Sequence, residues 1–239
     1  MMSAQTIADF KTVTGVDSVI ADKYLRKYAG SLDRALDAFF ADGSGTFLRA
    51  KLEAFFSSLT NGAKELAGEN LIALCDTCNA PAEDTVWLAI ATECNAKTMG
   101  CFTSDEWVVG MRAMRIDSLP NLVKALPQLK AKLKTDAEYA KRVYRFTFGY
   151  ALESGTRNIS KEDALALWDL LLAPRGWPLY SEWTKFVQEH MTGRFISRDT
   201  WNLVWDLAHT VKHDLSDYDI GGAWPVAIDD FVDLQRKRT

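Results

Sequence analysis

The chain has 239 residues, 48% of them apolar, enough to bury a sizeable core in one or two domains. Its formal charge of −4 argues against general nucleic-acid binding, which needs a basic field to neutralise phosphates. No apolar run approaches the roughly 20 residues that span a bilayer, and MMSAQTIADF lacks a charged-then-apolar leader, so we expect a soluble intracellular protein of the cytoplasm and/or nucleus, with no membrane partner.

Residues 4–12, 18–28 and 31–41 predict three short amphipathic helices. Val19, Ile20, Tyr24 and Leu25 supply one apolar stripe, and Leu32, Leu36, Phe39 and Phe40 another. Thr14-Gly-Val16 and Ala29-Gly30-Ser31 punctuate the blocks. This module resembles a ubiquitin-associated (UBA-like) domain, with a glycine in its first loop and an apolar third helix ending in Phe39-Phe40. The resemblance implies ubiquitin as a partner, met by Thr14, Gly15, Val16, Phe39 and Phe40. Asp42-Gly-Ser-Gly45 reads as flexible. The expected organisation is therefore a first domain at 1–42, a linker at 43–50 and a second domain at 51–239.

Cys75, Cys78, Cys94 and Cys101 raise the question of zinc. Cys75-x-x-Cys78 would be half a tetrahedral site, but the other pair is separated by six residues, and Cys75 continues the helical apolar pattern of Leu71, Ile72 and Leu74. Reduced core thiols are the favoured reading.

A local pattern then recurs three times: Phe102-Thr-Ser-Asp-Glu-Trp107, Ile159-Ser-Lys-Glu-Asp-Ala164 and Ile196-Ser-Arg-Asp-Thr-Trp201. Each sets an apolar residue before a hydroxyl, with an acid three positions after the apolar residue. The hydroxyl is a natural N-cap and the acids suit the positive first turn, so each repeat should start a helix. The same layout closes a calcium-binding EF-hand loop. With Gly100 as the loop glycine, Glu106 takes the last ligand position and Asn95, Lys97 and Met99 the early ones. A lysine and a methionine cannot stand in for oxygen ligands around a hard cation. We expect the helix-loop-helix scaffold without metal, and no cofactor.

Further helices are expected at 119–126 and 129–133, broken at Pro127, at 137–151, around Leu165, Trp168, Leu171 and Leu172 up to Pro174-Arg-Gly176, and at 180–191. Their aromatic stripes read as core. His209 and His213 lie four apart on an expected helix, but without an HExxH pattern a shared metal is the lesser reading. No phosphate loop, GxSxG elbow or activated cysteine context is present, so no catalytic residue is assigned. The fold class expected is all-α, a three-helix module plus a larger domain of degenerate EF-hand-like helix pairs.

Between Asp199 and Asp233 the chain carries eight Asp, no Glu and one Lys, an acidic surface on a Trp-rich frame that suits a basic partner. Here Asp199-Thr-Trp-Asn202, Asp217-Tyr-Asp219, Gly222-Ala-Trp-Pro225 and Ile228-Asp-Asp-Phe231 together resemble the C-terminal signature of the defective-in-cullin-neddylation family. The likeness extends back, more weakly, to about Lys51 through Phe146-Thr-Phe148 and Trp168. It implies the potentiating-neddylation fold and a scaffold-type co-ligase without its own nucleophile.

In such a scaffold Asp199, Ala223 and Asp229 would grip the basic C-terminal winged-helix region of a cullin. Leu71, Trp87, Ile90, Ala91, Cys94, Phe102, Tyr150 and Leu170 would hold the acetylated N-terminal helix of the neddylation conjugating enzyme. Cys94 and Tyr150 stand where better-known members have phenylalanines, and Trp87 is larger than usual, which implies an altered pocket. Two other classes stay open: a ubiquitin-binding adaptor without neddylation activity, and a metal-independent EF-hand-like regulator.

Overall fold

The computed structural model describes residues 4–14, 16, 18–41 and 44–237, and the side chains of all of these except 44–48. In chain order the helices are α1 (Ala4–Thr14), α2 (Ser18–Lys27), α3 (Leu32–Ala41), α4 (Ser44–Thr60), α5 (Gly68–Thr77), α6 (Thr85–Cys94) and α7 (Ser104–Met114). They continue with α8 (Leu119–Thr135), α9 (Ala137–Tyr150), α10 (Lys161–Leu171), α11 (Tyr180–Glu189), α12 (Arg198–Thr210) and α13 (Val226–Arg236). The strands are short: β1 (Glu65–Ala67) pairs antiparallel with β2 (Cys101–Thr103), and β3 (Ile159–Ser160) with β4 (Phe195–Ile196). The fold is all-α, as the periodicity predicts.

The chain divides into two compact units. The first comprises Met1–Ala82, Glu93–Ala96 and Gly100–Pro127, and the second Glu83–Thr92, Lys97–Met99 and Gln128–Thr239. In the first, α1, α2 and α3 close around Phe10, Tyr24 and Phe39, whose ring centroids lie 5.1 to 6.0 Å apart. Further along, α4 packs on α7, where Phe55, Phe56 and Phe102 surround Trp107. The capping chemistry of the first repeat is present in full: Thr103 Oγ1 accepts from Glu106 N, and the Glu106 carboxylate accepts from Thr103 N at 2.9 Å. Glu106 thus serves the helix start. A side chain at Gly110 would bring its Cβ within 2.7 Å of the Cys94 Cα, so only glycine lets α7 lie against that backbone.

The second unit is organised by stacked aromatics. The Trp201 ring lies parallel to Tyr144 at 4.4 Å and to Trp168 at 5.5 Å, while Trp183 meets Trp168 and Phe231 edge to face. These rings fix α9 to α13 around one core. The second and third repeats start α10 and α12 through the Ser160 and Ser197 caps, and their apolar leaders Ile159 and Ile196 face each other across β3 and β4.

Three expectations need correction. Residues 119–133 are not two pieces, because α8 runs through Pro127. Proline removes the bond to the Val123 carbonyl, but both residues are exposed and water can satisfy it. The linker read at 43–50 is helical from Ser44, as the helix-favouring residues after Thr46 extend α4 backwards, while Asp42 and Gly43 lie outside the described residues. His209 and His213 do not share a helix, since α12 ends at Thr210.

Candidate functional site

Asp199 sits in the first turn of α12, two residues after the Ser197 cap, whose Oγ accepts from Thr200 N at 3.1 Å. Trp201, two positions later, is fully buried. Two helical residues are separated by about 200° around the axis, so anchoring Trp201 in the core turns Asp199 to solvent, where it is exposed. The same device recurs in α13. Phe231 is fully buried between Trp183 and Phe186, and Asp229, two positions earlier, faces outward and is half-buried. Since α12 packs on α13, both acids are carried by one supported pair of helices, each in a first turn where the helix dipole favours negative charge.

Ala223 is exposed in the extended segment that leads into α13. Its setting is fixed by close neighbours: Trp224 stacks on Tyr218 at 5.1 Å, and a Cβ on Gly222 would meet Trp224 Nε1 at 2.9 Å and the Asp219 carbonyl at 3.1 Å. Tyr218 ties this segment to the helix, donating its hydroxyl to Asp229 Oδ1 at 2.6 Å. Burial, then the bond to Asp229, pushes the Tyr218 hydroxyl well above the usual tyrosine range, so it stays a donor. Sequence reasoning assigned Tyr218 no role, although it lies at the centre of the Asp217-Tyr-Asp219 motif. A tyrosine flanked by acids could have signalled it.

The eight apolar residues expected to receive a partner helix fall in both units. Leu71, Cys94 and Phe102 belong to the first, and Trp87, Ile90, Ala91, Tyr150 and Leu170 to the second. Only Leu71 and Leu170 are half-exposed; the other six are buried, with Ile90 and Ala91 at 0% exposure. The thiols are poor nucleophiles. Burial pushes Cys78 and Cys101 up to about 11 and Cys94 higher still, so all three are neutral near pH 7. None of the four cysteines is in a disulfide.

In the N-terminal module Thr14, Val16 and Phe39 are interior: Thr14 Oγ1 donates to the Phe10 carbonyl at 2.6 Å, and Phe39 packs between Phe10 and Tyr24. Phe40 is exposed, as are Val13 and Val19, while Gly15 lies outside the described residues. Among the described residues no cluster of three His, Cys, Asp or Glu is arranged to hold an ion. His209 instead stacks on Trp205 at 4.0 Å, with its Nδ1 bonded to the Trp205 carbonyl at 2.8 Å.

A family model described as "Cullin binding" matches residues 121–234, and one described as "UBA-like domain" matches residues 4–46. Defective in cullin neddylation protein 1 of Caenorhabditis elegans is 30% identical over 264 residues, covering 97% of this chain and 89% of that protein. DCN1-like protein 5 of Homo sapiens is 31% identical, covering 82% of this chain and 81% of that protein. DCN1-like protein 3 of Drosophila melanogaster is 37% identical over 165 residues, covering 69% of this chain and 49% of that protein.

Proposed function

The chain belongs to the defective-in-cullin-neddylation family, and from that premise we propose that it promotes cullin neddylation as a non-covalent scaffold, holding a cullin and the conjugating enzyme charged with the ubiquitin-like modifier. The observation that carries this reading is the pair of outward acids, Asp199 and Asp229, each locked in a first turn by a buried aromatic two residues on. A rigid acidic face with the small Ala223 beside it fits a basic, knob-like surface, and the cullin's C-terminal winged-helix region is the partner proposed for it.

For the conjugating enzyme's acetylated N-terminal helix, the same eight residues are proposed unit by unit. Leu71 in the first and Leu170 in the second are the accessible points of contact, and the buried residues shape what lies beneath them. A blocked amine brings no charge to desolvate against apolar side chains. The high-lying thiols support a division of labour in which the covalent chemistry belongs to the bound enzyme and this chain supplies orientation and effective concentration.

The division proposed for this chain is 1–42 and 51–239, and the match of residues 4–46 to a UBA-like domain supports a separate N-terminal module without fixing its boundary. Exposed Phe40 on that module, rather than Phe39 or the buried loop residues, is the side chain through which ubiquitin would be met.

Titration of the cullin winged-helix region against the parent protein, Asp199→Lys and Asp229→Lys tests the assignment. Each reversal should weaken binding at least tenfold while circular dichroism stays unchanged, because a rim acid opposes the partner without supporting the core. Full affinity in both folded variants would reject the acidic face. Leu71→Arg should lower affinity for the conjugating enzyme's N-terminal peptide and leave the cullin titration untouched.

A further inference from the structure

The second unit contains a cavity of about 680 Å³ that lies apart from the acidic residues of the proposed cullin face. Its walls come from Asp84 and Thr85 at the start of α6, from α8, α10, the turn after α10 and the last turn of α12, and Leu133, Leu171 and Pro174 give it an apolar lining. Leu170, at one edge, is the one lining residue that it shares with the contacts proposed for the conjugating enzyme.

Three cations, Lys130, Lys134 and Arg175, line this cavity against one acid, Asp84, in a chain whose formal charge is −4. Lys130 is paired with Asp84 and so is neutralised. Lys134 and Arg175 have no carboxylate partner among the described residues. Arg175 is half-buried, and burial without a compensating acid holds its guanidinium below the usual arginine range. It is also held in place: Nη2 donates to the Leu133 carbonyl at 2.6 Å, and the guanidinium lies 4.8 Å from the Trp205 ring centroid. A guanidinium carries five N–H donors, and this bond uses one of them. His209, stacked on the same Trp205, completes the rim; burial, helped by the positive charges of Arg175 and Lys141, outweighs the bond to the Trp205 carbonyl and the charge of Asp206 and depresses its basicity.

A positioned, half-buried arginine with spare donors and no carboxylate beside it among the described residues is suited to receive an anion. The cavity volume falls within the roughly 300–1,000 Å³ of ligand pockets, and its apolar lining favours a ligand with an aliphatic body over a bare ion. We propose that this cavity is a docking site for an acidic peptide segment, whose carboxylate is gripped by Arg175 and Lys134 while a neighbouring apolar side chain lies on Leu133, Leu171 and Pro174. The two surfaces of the second unit then have opposite sense: the acids of α12 and α13 meet a basic partner, and this cavity meets an acidic one.

The test is isothermal titration of the full chain with a capped tetrapeptide alternating glutamate and leucine, with its glutamine analogue, and with inorganic phosphate. The acidic peptide should bind one to one, the glutamine analogue about tenfold or more weakly, and the acidic isotherm should weaken as salt rises. Lys134→Gln should reduce affinity by about three- to fivefold and Arg175→Gln by about tenfold or more, with Arg175→Lys intermediate because it keeps the charge but not the planar fork. If Arg175→Gln fails to fold, the exposed Lys134→Gln decides alone. The proposal is overturned by no binding of the acidic peptide, by equal affinity for the glutamine analogue, by an unchanged isotherm in Lys134→Gln, or by phosphate binding as tightly as the peptide, which would make the site one for a free anion. None of these readouts involves a cullin or the conjugating enzyme, so failure here leaves the scaffold reading standing, and the reverse.

Discussion

The hydroxyl of Tyr144 accepts from Trp168 Nε1 at 2.8 Å and donates to the Trp201 carbonyl at 2.7 Å, so one buried atom joins α9, α10 and α12. Tyr144→Phe would leave the Trp168 Nε1–H unpaired in a dry core, at about 1–3 kcal/mol, and would take a second bond from the Trp201 carbonyl, which keeps its helical one. A loss of about 1–3 kcal/mol in urea unfolding is expected, and a change below about 0.5 kcal/mol would show that these bonds contribute little. Tyr218 acts at the surface instead. Without its bond to Asp229 the carboxylate is free to change rotamer, so Tyr218→Phe should keep the fold and weaken cullin binding about three- to tenfold, measured by the same titration. The acids and the small residue of this site were legible in the sequence because they lie in short motifs with helix-start chemistry. Tyr218's partner was not, since an eleven-residue separation across a turn leaves no periodic trace. The burial of Ile90 and Ala91 was equally hidden, because an apolar residue reads the same at a pocket wall and in a core.

At the level of elements, most helices could be read directly. The hydroxyl-and-acid repeats start α7, α10 and α12 as expected, since a cap is local chemistry that tertiary context seldom overrides. The short strands that couple the loops could not be read, as two or three residues give no alternation to detect. The break expected at Pro127 failed for a physical reason: proline's penalty depends on whether the orphaned carbonyl reaches water, and here it does. Replacing that residue should therefore help rather than harm. Pro127→Ala restores a helical bond at an exposed position, and a gain of about 1–2 kcal/mol in chemical unfolding is expected, less than the roughly 3 kcal/mol of a helix interior because proline also restricts the unfolded chain. Destabilisation would mean that the proline ring makes packing contacts of its own.

Across the whole chain, charge is distributed by surface. Eight aspartates gather between Asp199 and Asp233, while Lys134 and Arg175 stand without carboxylate partners among the described residues around the cavity of the second unit. A scaffold works only while it holds both of its partners, so removing either contact should return transfer towards the unassisted rate even though no bond-making group has been touched. The central claim is tested most directly by single-turnover transfer of the modifier from charged conjugating enzyme to cullin, with the parent chain, with folded Asp229→Lys, and with neither. The account predicts that the parent accelerates transfer and that Asp229→Lys reduces the acceleration at least tenfold; equal acceleration by the folded variant would contradict it.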